Sequence, residues 1–93
     1  MARYLLTYDV ATGDKEGEAR LRKVARICEG YGFRVQKSVF ELILEKKDLT
    51  VLIHKLGLLI KATCDSVRIY QIGSDPVRVL GKVDETTTSR FSW

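Results

Sequence analysis

Hydrophobic residues follow two different spacings in the first third of the chain. Arg3 to Val10 mixes Tyr, Leu, Thr and Val without helical spacing and is followed by turn-forming residues, which predicts a strand ending near Asp9. Apolar residues then recur at i, i+3, i+4 and i+7 between positions 21 and 28. This spacing predicts a helix that Asp14 caps and Gly30 ends.

The middle of the chain shows the same two spacings again. Phe33 to Glu45 is too long for one strand and changes phase around Lys37 to Val39, which predicts a hairpin of two strands. Apolar residues between positions 49 and 60 return to helical spacing, and Asp48 is the expected cap of this second helix. Ser66 to Ile72 is predicted to form the next strand.

The predicted order is strand, helix, strand, strand, helix, strand. This is the α+β, ferredoxin-like βαββαβ arrangement, an antiparallel sheet with both helices on one face. A short apolar run containing Val77, Val79 and Leu80 predicts an added fifth strand. We therefore expect one domain over residues 1–83 and a polar C-terminal tail over residues 84–93.

The sheet face without helices is expected to be apolar. We place Tyr4, Leu6 and Tyr8 of the first strand on that face, together with either Tyr70 and Ile72 of the fourth or the residues that alternate with them. Monomers seldom expose an apolar surface of this size. A twofold homodimer with facing sheets and outward helices would cover it.

Composition limits the class of protein. The 93 residues, 45% hydrophobic and 30% charged, fit one globular domain. Cys28 and Cys64 lack metal-type spacing, and with a single His they exclude a zinc site of the Cys/His kind. We interpret them as core thiols in a reducing compartment. Because the first apolar run is interrupted at Asp9, it is shorter than a signal peptide or a membrane span, which predicts a cytoplasmic protein.

The net charge of +4 is concentrated in one segment. Arg20 to Lys37 contains six basic residues and one acidic residue. Arg22 and Arg26 are i, i+4 neighbours on the side of the first helix opposite its apolar residues, where they would form a basic ridge for phosphates. A solvated helix face is the alternative interpretation. Arg34 is the stronger candidate, because it lies on a strand.

Several aromatic residues are candidates for stacking on nucleic-acid bases. Most alternate with aliphatic residues on predicted strands, so packing in the core or the dimer is the favoured interpretation. The residues concerned are Tyr8, Tyr31, Phe33, Phe40 and Tyr70.

Asp9 is the strongest candidate for chemistry, because a carboxylate seldom ends an apolar strand without a partner or a task. A turn-forming Asp is the equally weighted alternative. If a dimer brings two strand ends together at its twofold axis, two Asp9 carboxylates converge, and their repulsion requires a proton or a cation. Magnesium suits such a site, because it prefers oxygen ligands and needs few carboxylates.

Three segments carry the most specific patterns: YLLTYDV at 4–10, RLRKVARICEGYGFRVQKSVFEL at 20–42 and DSVRIYQIG at 65–73. In these segments the chain resembles the Cas2 family of small CRISPR-associated proteins, and the resemblance spans nearly the whole domain. It implies a ferredoxin-like homodimer whose fifth strand crosses to the partner's sheet. It also implies a magnesium-dependent phosphodiesterase site at the paired Asp9 and a role in spacer acquisition with the Cas1 integrase.

The resemblance also assigns roles to single residues. Asp9 matches the family's metal-binding acidic residue, and Tyr8, Arg34 and Phe40 match positions associated with activity. The residues expected to contact nucleic acid are Arg20, Arg22, Lys23, Arg26 and Arg34. Two functions stay open: a magnesium-dependent endonuclease acting on single-stranded RNA or double-stranded DNA, and an inert dimeric adaptor that binds nucleic acid and bridges integrase subunits.

Overall fold

The computed structural model describes residues 1–82 of the chain. Six elements follow one another as β1 (Ala2–Asp9), α1 (Lys15–Glu29), β2 (Gly32–Gln36), β3 (Val39–Leu44), α2 (Lys46–Leu59) and β4 (Ser66–Ile72). Their order confirms the predicted succession of strands and helices. The predicted tail over residues 84–93 lies outside the described residues.

The four strands form one antiparallel sheet in the order β2-β3-β1-β4. In the central strand β1, Leu6 pairs with Phe40 of β3 on one side and with Ile69 of β4 on the other. The register of β2 against β3 shifts between Arg34 and Gln36, so β2 carries an irregularity that β4 lacks. The sheet and its two helices confirm the predicted α+β, ferredoxin-like fold.

The two helices begin in different ways. Asp14 caps α1 as predicted, and its Oδ1 accepts a hydrogen bond from the Gly17 amide at 2.8 Å. The predicted cap of α2 is wrong: Glu45 occupies that position without a side-chain cap bond, and α2 begins at Lys46. The Asp48 amide donates to the Glu45 carbonyl at 3.0 Å, so Asp48 already lies inside the first turn.

The prediction that three β1 residues lie on the sheet face without helices is wrong. Tyr4, Leu6 and Tyr8 are buried in the core beneath the helices. This core also contains Val24, Cys28, Phe40, Leu42, Leu52 and Leu56. Both faces of β1 are apolar, so alternation alone did not distinguish the face that the helices cover.

The opposite side of the sheet, which we call the open face, is lined by Leu5, Ile43, Tyr70 and Ile72, as alternation and register require. Of the two predicted alternatives for β4, Tyr70 and Ile72 are therefore the residues on this face. Ile43 and Tyr70 are 47% and 46% exposed. Charged Arg3, Glu41 and Arg68 lie among these apolar residues. The open face is therefore a mixture of apolar and charged residues, and β1 contributes Leu5 to it in place of the predicted Tyr4, Leu6 and Tyr8.

The two cysteines have different environments. Cys28 is buried in the core, and burial raises the pKa of its thiol to about 12. Cys64 is exposed, so the prediction of a second core thiol is wrong. It lies in the loop between α2 and β4.

Residues 73–82 follow β4 without forming a helix or strand within the described chain. Val77, Val79 and Leu80 are exposed there, and Arg3 Nη2 donates to the Asp75 carbonyl at 2.6 Å. The fifth strand is thus absent from the described single chain, and its addition to a partner's sheet stays a prediction. Neither helix of residues 1–82 is long and apolar enough to cross a membrane.

Candidate functional site

Asp9 is the last residue of the central strand β1 and is exposed. Its backbone pairs with Ser66 at the start of β4. Alternation along β1 places Asp9 on the open-face side of the sheet, opposite the buried Tyr8. Within residues 1–82 its carboxylate has no hydrogen bond or ion pair, so both oxygens are free to bind a ligand. No hydrogen bond among residues 1–82 supports the turn-forming role considered for Asp9.

Three other predicted site residues meet on the helix-covered face. Arg34 Nη2 donates to the Tyr8 hydroxyl oxygen at 3.2 Å, and that hydroxyl donates to the Lys37 carbonyl at 3.1 Å. The Arg34 guanidinium carbon lies 5.3 Å from the ring centroid of Phe40, a cation–π contact. The rings of Tyr8 and Phe40 stack with centroids 6.2 Å apart. The structure thus brings these three residues together, whereas the sheet lies between them and Asp9.

Phe40 supports the core of the domain. Its side chain is completely buried, and truncation of such a residue to Ala costs about 3–5 kcal/mol. A loss of activity in a Phe40→Ala variant would therefore be explained by loss of the fold and would not show that Phe40 takes part in catalysis.

The basic ridge borders a cleft of about 450 Å³ between α1 and β2. Arg22 and Arg26 are exposed on α1, and Arg34 approaches from β2. Arg34 Nη1 lies 3.9 Å from Glu29 Oε1, a distance too long for a strong hydrogen bond. Lys23 is also exposed on α1. We call this basic surface the α1–β2 cleft, and it offers three guanidinium groups to phosphates.

Arg20, which is predicted to contact nucleic acid, forms an ion pair with Asp65. Arg20 Nε lies 2.7 Å from Asp65 Oδ2, and Arg20 Nη2 lies 3.3 Å from Oδ1. The Arg20 side chain is 17% exposed and that of Asp65 is inaccessible. The hydrogen bond from Arg20 holds the pKa of Asp65 well below its usual range, and Asp65 raises the pKa of Arg20. Asp65 is a residue for which sequence reasoning gave no role.

Acid should weaken this pair. A carboxyl whose folded pKa is depressed stabilises the fold above its ordinary pKa of about 3.9 and loses that contribution as the pH falls toward the folded value. We therefore expect the melting temperature to fall more steeply in the wild type than in Asp65→Asn between about pH 5 and about pH 3. Circular dichroism melts across this range measure both slopes. Parallel declines would show that the pair does not stabilise the fold.

The profile of the family described as "CRISPR associated protein Cas2" matches residues 1–78. The chain belongs to the Cas2 family. The protein named "CRISPR-associated endonuclease Cas2" from Halalkalibacterium halodurans is 51% identical over 71 residues, covering 76% of this chain and 74% of that relative. A second relative, "CRISPR-associated endoribonuclease Cas2 1" from Moorella thermoacetica, is 47% identical over 68 residues, covering 73% and 71%.

Solved structures agree with this membership. The crystal structure of Streptococcus pyogenes Cas2 at pH 6.5 superposes with a TM-score of 0.77 at 40% identity, covering 85% of this chain and 99% of that one. A hypothetical protein from Thermus thermophilus gives a TM-score of 0.77 at 34% identity, covering 89% and 94%. The fold described above is therefore the fold of solved Cas2 chains.

A magnesium ion at Asp9 would have few ligands in one Cas2 chain. Among residues 1–82, no three side chains of His, Cys, Asp or Glu are close enough together to hold a metal. Asp9 supplies one exposed, unpartnered carboxylate. Magnesium keeps several waters and is often bound through one or two carboxylates, so this donor fits a hydrated ion shared with a second carboxylate.

Proposed function

We propose that this Cas2 chain acts as a homodimeric, magnesium-dependent endonuclease on phosphodiester bonds of single-stranded RNA or double-stranded DNA. We further propose that it takes part in spacer acquisition with the Cas1 integrase. The observation that supports the nuclease role is the free carboxylate of Asp9 at the end of the central strand. The names of the two relatives, an endonuclease and an endoribonuclease, agree with it.

The open face supports the homodimer. It presents half-exposed Ile43 and Tyr70 together with basic Arg3 and Arg68 and acidic Glu41. A surface with apolar area and charges of both signs can pair with a twofold copy of itself. Because β1 is central and ends at Asp9, facing sheets would bring two such carboxylates toward the axis.

The residues of the chain would divide the chemistry between them. Two Asp9 carboxylates would bind the cation, which when bound supplies an activated water and charge stabilisation for phosphodiester hydrolysis. Arg22, Arg26 and Arg34 would bind other phosphates of the same nucleic acid, away from the cation, through charge-assisted hydrogen bonds. The Tyr8 hydroxyl would keep Arg34 in place.

One assay tests the nuclease proposal directly. Purified full-length protein is incubated with labelled single-stranded RNA and labelled duplex DNA, with magnesium and with a chelator in its place. We expect cleavage of at least one substrate with magnesium and none with the chelator. Cleavage that persists with the chelator, or that is absent from both substrates, would contradict the proposal.

A nucleic-acid-binding adaptor is the second candidate function, and the position of the α1–β2 cleft favours it. The cleft lies on the helix-covered side of the sheet, away from Asp9. Binding of nucleic acid there would need no metal, so a chain without nuclease activity could still bridge integrase subunits.

The α1–β2 cleft gives a prediction about salt. We expect Arg22→Ala combined with Arg26→Ala to weaken nucleic-acid binding similarly for different sequences, because phosphate contacts carry no sequence information. Loss of two such contacts should reduce the slope of log affinity against log salt by roughly 1–2. Fluorescence anisotropy at several salt concentrations measures both effects.

The matched control removes two exposed basic residues elsewhere, Lys46→Ala with Lys47→Ala in the first turn of α2. This pair should leave the slope close to that of the wild type. Equal slopes for the wild type and the arginine variant would exclude the cleft from the binding surface.

A further inference from the structure

The carboxylate of Asp65 joins three separate segments of the chain. Oδ1 accepts the Ala11 amide at 3.0 Å and Arg20 Nη2 at 3.3 Å. Oδ2 accepts the Lys61 amide at 2.9 Å and Arg20 Nε at 2.7 Å. One inaccessible side chain thus connects the loop after β1, the helix α1 and the loop after α2.

These contacts surround the end of β1 at Asp9. Ala11 is two residues beyond Asp9, and Ser66, which follows Asp65, is the β4 partner of Asp9. A Cβ atom at Gly17 would collide with the Ala11 carbonyl, so the loop also packs closely against the first turn of α1. The backbone is therefore held at Asp9 by β4 and two residues later by Asp65.

The bonds at Asp65 depend on its charge. Five donors share its two oxygens: two belong to the Arg20 guanidinium, two are backbone amides, and the fifth is the Cys64 thiol, 3.5 Å from Oδ1. An Asn side chain of the same shape has one acceptor oxygen and would leave the Arg20 charge without its partner. Such a change weakens the attachment of Ala11 while keeping the volume of the side chain.

We infer that Asp65 is a positioning residue for Asp9: with Arg20, it fixes the backbone that leaves β1 and so fixes the direction of the Asp9 carboxylate. The effect of Asp65 on catalysis rests on the proposed magnesium site at Asp9. Its effect on the backbone after β1 does not depend on that site. Asp65 itself is inaccessible and touches no substrate.

The test compares full-length Asp65→Asn with the wild type by nuclear magnetic resonance. In Asp65→Asn we expect the Ala11 amide to exchange with solvent at least ~10-fold faster, because it loses its charged acceptor. We also expect magnesium, titrated against the Asp9 amide shift, to bind at least ~10-fold more weakly, as mutation of the groups that orient metal ligands does. In cleavage assays the turnover number should fall while KM changes little.

Two further variants separate positioning from simple loss of stability. Leu52→Ala removes buried volume on α2, far from Ala11 in the sequence, and should lower the melting temperature while leaving Ala11 exchange, measured well below melting, unchanged. Arg20→Lys keeps the positive charge, whereas Arg20→Gln removes it. We therefore expect Arg20→Lys to retain part of the magnesium affinity that is lost in Arg20→Gln. If Asp65→Asn does not fold, comparison of Arg20→Lys with Arg20→Gln tests the positioning role in its place.

Either of two results would overturn the inference. One is an unchanged Ala11 exchange rate and Asp9 amide shift in both Asp65→Asn and Arg20→Gln. The other is an equal effect of Leu52→Ala on those two signals. If the wild-type Asp9 amide shows no response to magnesium, the proposed nuclease site is wrong, and the exchange rates alone decide the positioning role.

Discussion

Replacement of Asp9 by Asn is expected to reduce magnesium-dependent cleavage by at least ~100-fold, equivalent to about 2.7 kcal/mol of transition-state stabilisation. Asn keeps the shape of Asp but removes the charge that binds a hard cation. Because Asp9 is exposed and has no partner within residues 1–82, the substitution should leave the fold intact. Initial rates on the cleaved substrate, with circular dichroism melts alongside, measure both expectations.

The matched control is Asp75→Asn, which neutralises another exposed carboxylate and keeps the backbone carbonyl that accepts the hydrogen bond from Arg3. It should cleave at the wild-type rate. Full activity in Asp9→Asn would remove Asp9 from the chemistry and favour the adaptor. Spacer integration that survives in Asp9→Asn would show that the adaptor role does not depend on cleavage.

Introduction of a charge on the open face should separate the proposed dimer. We expect Ile43→Glu to raise the dimer dissociation constant at least ~100-fold, because burial of an unpaired charge between two sheets costs several kcal/mol. Ile43 is 47% exposed in the single chain, so the folded protomer should tolerate the change. Sedimentation or light scattering across micromolar concentrations measures the association.

Val51→Glu is the matched control, because Val51 is 46% exposed but lies on α2, on the other side of the domain. It should leave association unchanged. A wild-type dissociation constant for Ile43→Glu would exclude the open face as the interface. Removal of residues 76–93 tests the fifth strand separately, and an unaltered dimer would contradict strand exchange.

Periodicity predicted the elements well and their environments less well. The alternation of β1 and the helical spacing of α1 depend on local sequence, so these elements were predictable. The orientation of β1 was not, since Leu5 and Leu6 are both apolar and only packing against the helices distinguishes their faces. The cap of α2 was misplaced because Asp is common both at the capping position and within the first turn of a helix, and the sequence alone does not tell these positions apart.

The candidate site was predictable only in part. A free carboxylate at the end of an apolar strand stands out locally, and family resemblance grouped Tyr8 with Arg34 and Phe40. The pairing of Arg20 with Asp65 joins residues 45 positions apart and has no local pattern. The available signal was a carboxylate directly before an apolar strand, the same kind of signal that identified Asp9.

The shifted register between Arg34 and Gln36 makes the two borders of the sheet unequal. Within residues 1–82, β2 and β4 are the outer strands, and β4 runs for seven residues in regular register. An irregular outer strand resists pairing with further chains, whereas a regular one presents an unbroken row of backbone donors and acceptors. The border formed by β4 is therefore better suited than that formed by β2 to accept a further strand. If the proposed fifth strand of each copy pairs with the β4 border of its partner, each copy gives and receives a single strand, and the result would be a closed pair in place of an open-ended fibre.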